Sequence, residues 1–232
     1  MHSEFYDYKL QTLKNLSWLP WVGKDYPTLS SENKILFIGE SHYLTESKNN
    51  NAKYNKSNMT RLIVKDMGID GNEWNSKFFS NVHRLIFGKK VLKEEQNNLF
   101  WDKIAFYNFI QKPMSNSKSR PTYLELETGR DNFFDLIRVL KPSVCIFLGL
   151  KAEFKMNEAI ERSGFAVEKK IEWKDRIGTS YGRFGSIKNN DGEVIKIVFI
   201  RHPSSYFNPQ RWNEFLTKYI PSRMNWLKNL NN

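Results

Sequence analysis

Three short apolar runs constrain this chain more than any other feature. They are "KILFI" from Lys34 to Ile38, "SVCIFLGL" from Ser143 to Leu150, and "EVIKIVFI" from Glu193 to Ile200. Each is of strand length and breaks at once into glycine or polar residues. A strand with one wetted face alternates apolar and polar side chains, whereas a near-continuous apolar run marks a strand covered on both faces, as parallel strands under helices are. A fourth run, "KIAFYNFIQKPM" from Lys103 to Met114, ends in polar residues and a proline.

Between the strands the apolar spacing turns helical. Met59, Leu62, Ile63 and Met67 form one stripe stopped by Gly68, and Trp74, Phe78, Val82, Leu85 and Ile86 form a second stopped by Gly88; both are expected core faces. Helices are also expected over Asp131–Leu140, punctuated by Pro142, and from about Lys151 to Ser163. A last helix is capped by Asn208, opened by Pro209 and carries Trp212, Phe215, Leu216 and Tyr219. The "NNDG" run from Asn189 to Gly192, between "GRFGSIK" and "EVIKIVFI", signals a hairpin. Strand, polar loop and helix thus recur, which predicts an α/β fold: a three-layer α/β/α sandwich around a mostly parallel central sheet, with ligands beyond the carboxyl ends of the strands. At 232 residues one domain, 1–232, is expected. Residues 1–33 would pack on it as a helix from Glu4 to Leu16 and a proline-broken aromatic arm holding Trp18 and Trp21.

Composition excludes several classes. Cys145 is the single cysteine and sits in an apolar run, so neither a disulfide framework nor a Cys-ligated metal or iron–sulfur site can form within one chain. The first residues, "MHSEFYDYKLQTLKNL", hold no apolar run of signal-peptide length and nowhere do about twenty apolar residues follow one another, which gives the expectation of a cytoplasmic protein with no membrane partner. The 36 Lys and Arg against 25 Asp and Glu leave a formal charge of +11, which favours a polyanion partner. An abundance of Lys and Asn can also arise from an AT-rich genome. Residues Ser47 to Ser57, "SKNNNAKYNKS", read as a polar loop or insertion.

The strand ends gather groups with chemical capacity: Gly39, Glu40, Ser41, His42 and Tyr43 after the first; Asn108 and Gln111 on the second; His202, Pro203, Ser204 and Ser205 after the last. In this order they resemble the uracil-DNA glycosylase superfamily. Its first motif, GQDPYH or GEAPG, is similar to Gly39-Glu40-Ser41-His42-Tyr43, and its base-reading asparagine corresponds to Asn108 in Tyr107-Asn108-Phe109. Its LG-x-x-A strand ending is matched by Leu148-Gly149-Leu150-Lys151-Ala152, and its HPS motif by "HPSSYFNP" from His202 to Pro209. The likeness covers roughly residues 34 to 220. Ser41 stands where many members carry the water-activating aspartate, and the phenylalanine that stacks on the base in the usual continuation of the first motif is missing.

The resemblance implies a DNA glycosylase that hydrolyses the N-glycosidic bond of a flipped-out uracil or modified base and leaves an abasic site. It assigns His202 as donor to the departing base anion; with Ser41 at the aspartate position, Glu40 is the nearest carboxylate to activate the water, and Ser41 could only position it. Asn108 would read the base, and Tyr43, His42 and Gly39 would line its pocket. Tyr206 and Phe207 are candidates for a wedge; Ser204, Ser205, Arg201, Lys112, Arg120 and Arg211 are candidates for phosphate contacts. DNA is the expected partner of a monomer, with no cofactor and no metal. Three alternatives stay open: a glycosylase acting on hypermodified phage bases in antiviral defence, an inactive DNA-binding module, and a serine hydrolase using Ser41 and His202. The last lacks the glycine that a nucleophile elbow needs, since position 43 is tyrosine.

Overall fold

The computed structural model describes residues 2–44, 52–71, 76–89, 91–116, 118–204 and 206–230. Trp74, Ser205 and most of the first half of the polar insertion therefore lie outside the described residues. Seven strands form one sheet: β1 (Trp21–Val22), β2 (Ile35–Gly39), β3 (Ala105–Asn108), β4 (Val144–Leu148), β5 (Ala166–Ile177), β6 (Ser180–Lys188) and β7 (Val194–Ile200). Their spatial order is β1-β3-β2-β4-β7-β6-β5. The four central strands, β3-β2-β4-β7, run parallel, while β1, β6 and β5 are joined antiparallel. The expected mostly parallel sheet is thus corrected to a mixed one, because the hairpins at one edge and the two-residue strand at the other reverse the chain direction.

Alternation along the parallel strands explains why their sequences are apolar throughout. Leu36, Ile38, Cys145, Phe147, Ile197 and Phe199 enter one core with helices α5 (Tyr123–Leu140) and α6 (Met156–Arg162). Ile35, Phe37, Val144, Ile146, Val198 and Ile200 enter a second core. There they meet α2 (Met59–Ile63), α3 (Lys77–Phe87), α4 (Glu94–Lys103), α7 (Pro209–Tyr219) and α8 (Pro221–Lys228). Each buried large side chain contributes about 1.5–3 kcal/mol, so both faces of the sheet are strongly committed. Among the described residues no helix is long and apolar enough to cross a membrane.

The expected Glu4–Leu16 helix is a single turn, α1 (Asp7–Leu10). What anchors this segment is tertiary: Asp7 receives both guanidinium ends of Arg61, and Trp18 and Trp21 are buried, with Trp21 Nε1 donating to the Trp101 carbonyl at 2.8 Å. The Lys151–Ser163 helix divides into a short 3-10 turn and α6, separated by Lys155 in the left-handed region at φ 54°. Helix α5 begins eight residues before the expected Asp131, at a capping box in which Thr122 and Glu125 satisfy each other's backbone N–H groups.

Candidate active site

Strands β3 and β4 flank β2 on opposite sides, so the chain reverses its progress across the sheet at the end of β2. Such a switch point opens a crevice beyond the strand ends. A cleft of about 840 Å³ lies there, lined by Glu40, Ser41, His42 and Tyr43 after β2, Asn108 at the end of β3, Lys151 beyond β4, and Arg201, His202 and Ser204 beyond β7. A larger groove of about 1400 Å³ runs from the end of α3 to the start of α7 but contains none of Glu40, Asn108 or His202.

The loop after β2 is held by main-chain bonds to the segment after β3. Phe109 and Ile110 N–H donate to the Gly39 and Glu40 carbonyls at 2.9 Å, Met114 N–H to the His42 carbonyl at 2.8 Å, and Leu44 N–H to the Met114 carbonyl at 2.8 Å. Gly39 is required by close approach: a Cβ there would stand 2.1 Å from Asn108 Oδ1, its register partner across the ladder. The missing side chain thus makes room for the Asn108 carboxamide. Asn108 is buried. Gln111, by contrast, is structural: it donates to the Asn108 carbonyl at 2.6 Å and accepts from Trp18 N–H at 2.9 Å.

Glu40 lies against Gly149, where a Cβ would come within 3.4 Å of its carboxylate. Burial pushes its carboxyl above the ordinary glutamate range, and the charges of Arg120 and Lys151 oppose that rise. Ser41 Oγ is buried and finds no hydrogen-bond partner of good geometry among the described residues. Tyr43 is held above the usual phenol range by burial and by the charge of Glu40, with Ser41 and Arg120 opposing. His42 packs between Trp18 and Tyr54, ring centroids 5.1 and 6.2 Å away, with Nε2 buried and without a hydrogen-bond partner among the described residues. Burial, assisted by Lys53, lowers its pKa to about 4.

His202 has the same pKa, about 4, from burial and the nearby Arg120, so near neutrality it carries one ring proton. The Ser204 backbone N–H points to its Nδ1 at 3.3 Å and Ser204 Oγ stands 2.8 Å from the same atom. An Nδ1 that accepts leaves the proton on Nε2, so His202 is a neutral donor. Phe78 stands beside it, ring centroids 5.3 Å apart, and also lines the cleft. In the sequence Phe78 reads as part of a helical core stripe; its dual position was hidden because it sits in the first turn of α3, where the stripe reaches the cleft rim.

The remaining candidates separate. Arg120 and Arg201 line the cleft, and with them Lys53, Lys77 and Lys151, which sequence spacing did not single out. Glu40 is the one acidic residue among these lining groups. Lys112 is instead engaged with Glu125 at the head of α5. Arg211 borders a neighbouring hollow, where Arg201 also lies. Phe207 turns inward and stacks on Trp212, planes 8° apart, whereas Tyr206 is 94% exposed and left-handed at φ 50°. Ser205 lies outside the described residues. Among those described, no group of three or more His, Cys, Asp or Glu is placed to hold a metal ion. No protein-family model and no curated protein matches this sequence.

Proposed function

We propose that this chain is a DNA glycosylase of the uracil-DNA glycosylase type, built as a three-layer α/β/α sandwich, that hydrolyses the N-glycosidic bond of a flipped-out base. The observation that carries this reading is convergence. Glu40, Asn108 and His202 come from the ends of three different parallel strands to one cleft whose other charged lining residues are lysines and arginines.

Breaking the bond leaves an electron pair on the base and cationic character at the sugar C1′, where a water oxygen then attaches. The neutral His202 Nε2–H stabilises the departing base without first giving up a proton, a donor of the kind worth about 10²–10³ in rate. Glu40 takes the proton of the attacking water, and its upward-shifted carboxyl suits a base working closer to neutrality. Asn108 offers a donor and an acceptor to the base edge. Phe78, adjoining His202, supplies the flat ring that the first motif lacks. The cationic lining neutralises the flanking phosphates, and Tyr206, exposed on the loop after β7, takes the wedge position.

As a second reading, Ser41 in place of the aspartate and the missing stacking phenylalanine of the first motif favour a bulkier modified base of the kind found in phage DNA, an activity of antiviral defence rather than repair. A serine hydrolase is not supported: His202 Nδ1 engages Ser204, and Ser41 makes no hydrogen bond to His202. The test is mass spectrometry of the small-molecule fraction after incubation with uracil-containing DNA and with phage DNA carrying modified bases. A free base and an abasic site are expected from one of them. Salt-sensitive binding without release from either would make the protein an inactive DNA-binding module.

A further inference from the structure

Strands β5 and β6 form a long antiparallel hairpin at the edge of the sheet, with β5 outermost. Near its tip Trp173 is 60% exposed and stacks on Tyr181 of the other strand, ring centroids 5.4 Å apart and planes 23° from parallel. The Arg183 guanidinium lies 4.9 Å from the Trp173 centroid. A cross-strand pair that served only to stabilise the hairpin has no need to keep a tryptophan this open.

The stack is not isolated from the cleft. Ser180, at the head of β6, lines the cleft, and Tyr181, the next residue, presents its ring on the other side of the strand. Arg201, next to His202, donates to Thr179 Oγ1 at 3.0 Å and Ser180 Oγ at 3.1 Å, which fixes the hairpin tip to the cleft wall. The same guanidinium lies 5.7 Å from the ring of the exposed Tyr206. Between the tip and Tyr206 a hollow of about 490 Å³ is bounded by Gly178, Thr179, Arg201 and Arg211. Around the hairpin tip, then, stand two groups of rings and guanidinium ions: Tyr206 with Arg201, and Tyr181 and Trp173 with Arg183, which also pairs with Glu153 at 3.6 Å.

We infer that this hairpin is a stacking platform for unpaired nucleotides flanking the flipped base, and that it gives the protein a preference for single-stranded over duplex DNA. Flat rings interleaved with cations are how proteins hold single strands without reading sequence, since every base has a face to stack. In a duplex those faces are already covered, so the platform discriminates by strandedness. The inference rests on the glycosylase reading for the identity of the neighbouring cleft, but the platform itself can be tested without base release.

The test is a binding titration of the full chain with an oligothymidylate, which contains no excisable base, and with a blunt duplex of equal length. Tryptophan emission is followed, because Trp18, Trp21, Trp101 and Trp212 are buried, Trp226 is half-buried and Trp173 is open, with Trp74 replaced by phenylalanine in every protein compared. Single strands are expected to quench that emission. Trp173→Ala should weaken single-strand binding about tenfold and duplex binding less than twofold, while Trp173→Phe, which keeps a ring, should bind single strands within about threefold of wild type with the quench lost. Unchanged single-strand affinity in Trp173→Ala, or equal losses on single strand and duplex, would overturn the platform. If bases are released but oligothymidylate binding ignores Trp173, the platform fails and the glycosylase reading stands; if binding depends on the ring but no substrate yields a free base, the platform stands and the glycosylase reading fails.

Discussion

The two loops that carry the proposed chemistry are built differently. The one after β2 is fastened to the segment after β3 by four main-chain hydrogen bonds spread over Gly39, Glu40, His42 and Leu44. The one after β7 turns at Pro203 and Ser204, and among its described residues none is bonded main chain to main chain to a neighbouring segment. Side chains hold it instead: Ser204 against His202 Nδ1, Asn81 to the Pro203 carbonyl, and Arg201 to the hairpin tip. Its Tyr206 is exposed in a left-handed conformation that costs a non-glycine residue on the order of 1 kcal/mol or more. A receptor for a base has to keep its shape before the base arrives, whereas a loop that enters a helix has to reach outward. On the proposed reading, the first loop suits the first task and the second loop the second.

The largest expected effect tests whether the rigid loop also holds the water. Glu40→Gln keeps the shape of the side chain and should lower base release by about 10²–10⁴-fold, with DNA affinity retained. The pH profile adds a sign. Because the Glu40 carboxyl is raised, the wild-type rate should fall on acidification at a higher pH than an ordinary glutamate would give, and this acid limb should vanish in the variant. A limb that persists in Glu40→Gln would assign the water to another group.

His202→Ala comes next, with a loss of about 10²–10³ in the rate of base release measured under single-turnover conditions. Since His202 is neutral down to about pH 4, its contribution should not vary with pH between about 6 and 8. Binding of uncleaved DNA should change less than twofold; a parallel loss of binding would mean that the histidine shapes the loop rather than serving the departing base.

These two positions show what the sequence makes legible. Strands β2, β4 and β7 stand where their apolar runs put them, because a residue buried on both faces leaves little freedom in its composition. The strand ends were legible for the same reason: polar groups that follow such runs at once must lie at the rim of the sheet. Asn208 and Pro209 open α7 as expected, with Asn208 Oδ1 accepting from Arg211 N–H at 3.1 Å. Strand β5 was missed: in "AVEKKIEWKDRI" Val167, Ile171, Trp173 and Ile177 fall on alternate positions, but Lys169 and Asp175 interrupt the pattern in an edge strand wetted along most of its length. Helix α4 was missed because its apolar residues, Leu99, Phe100 and Trp101, cluster at one end. The place of Phe78 beside His202 depends on tertiary placement, and a helical stripe cannot separate a ring in the core from one at its rim.

The rigid loop can be broken at its narrowest point. In Gly39→Ala the new methyl would meet Asn108 Oδ1 and, at 3.1 Å, the Phe106 ring. Overpacking of this kind costs about 1–3 kcal/mol, which chemical denaturation would read as a lower midpoint at unchanged slope. Adding Asn108→Ala removes the atom that the methyl hits, so the double variant should recover part of the stability lost by Gly39→Ala alone, while base recognition stays lost. Additive losses would show that the two residues are uncoupled.

The smallest effect contrasts the two histidines. Both are held near a pKa of 4, below the ordinary 6.5, by burial. Between about pH 4 and 6.5 the unfolded chain therefore binds more protons than the folded one, and stability is lost as pH falls through that window. The raised Glu40 carboxyl acts with the opposite sign, since its folded form takes up a proton first. His42 packs against rings, with its Nε2 without a hydrogen-bond partner among the described residues, so His42→Phe should flatten the acid decline in Tm while leaving base release within a few-fold of wild type. His202→Phe should flatten the decline and abolish release together. If His42→Phe also abolishes release, the first loop uses its histidine on the substrate, and the division between a fixed receptor and a reaching loop has to be redrawn to place catalytic donors in both.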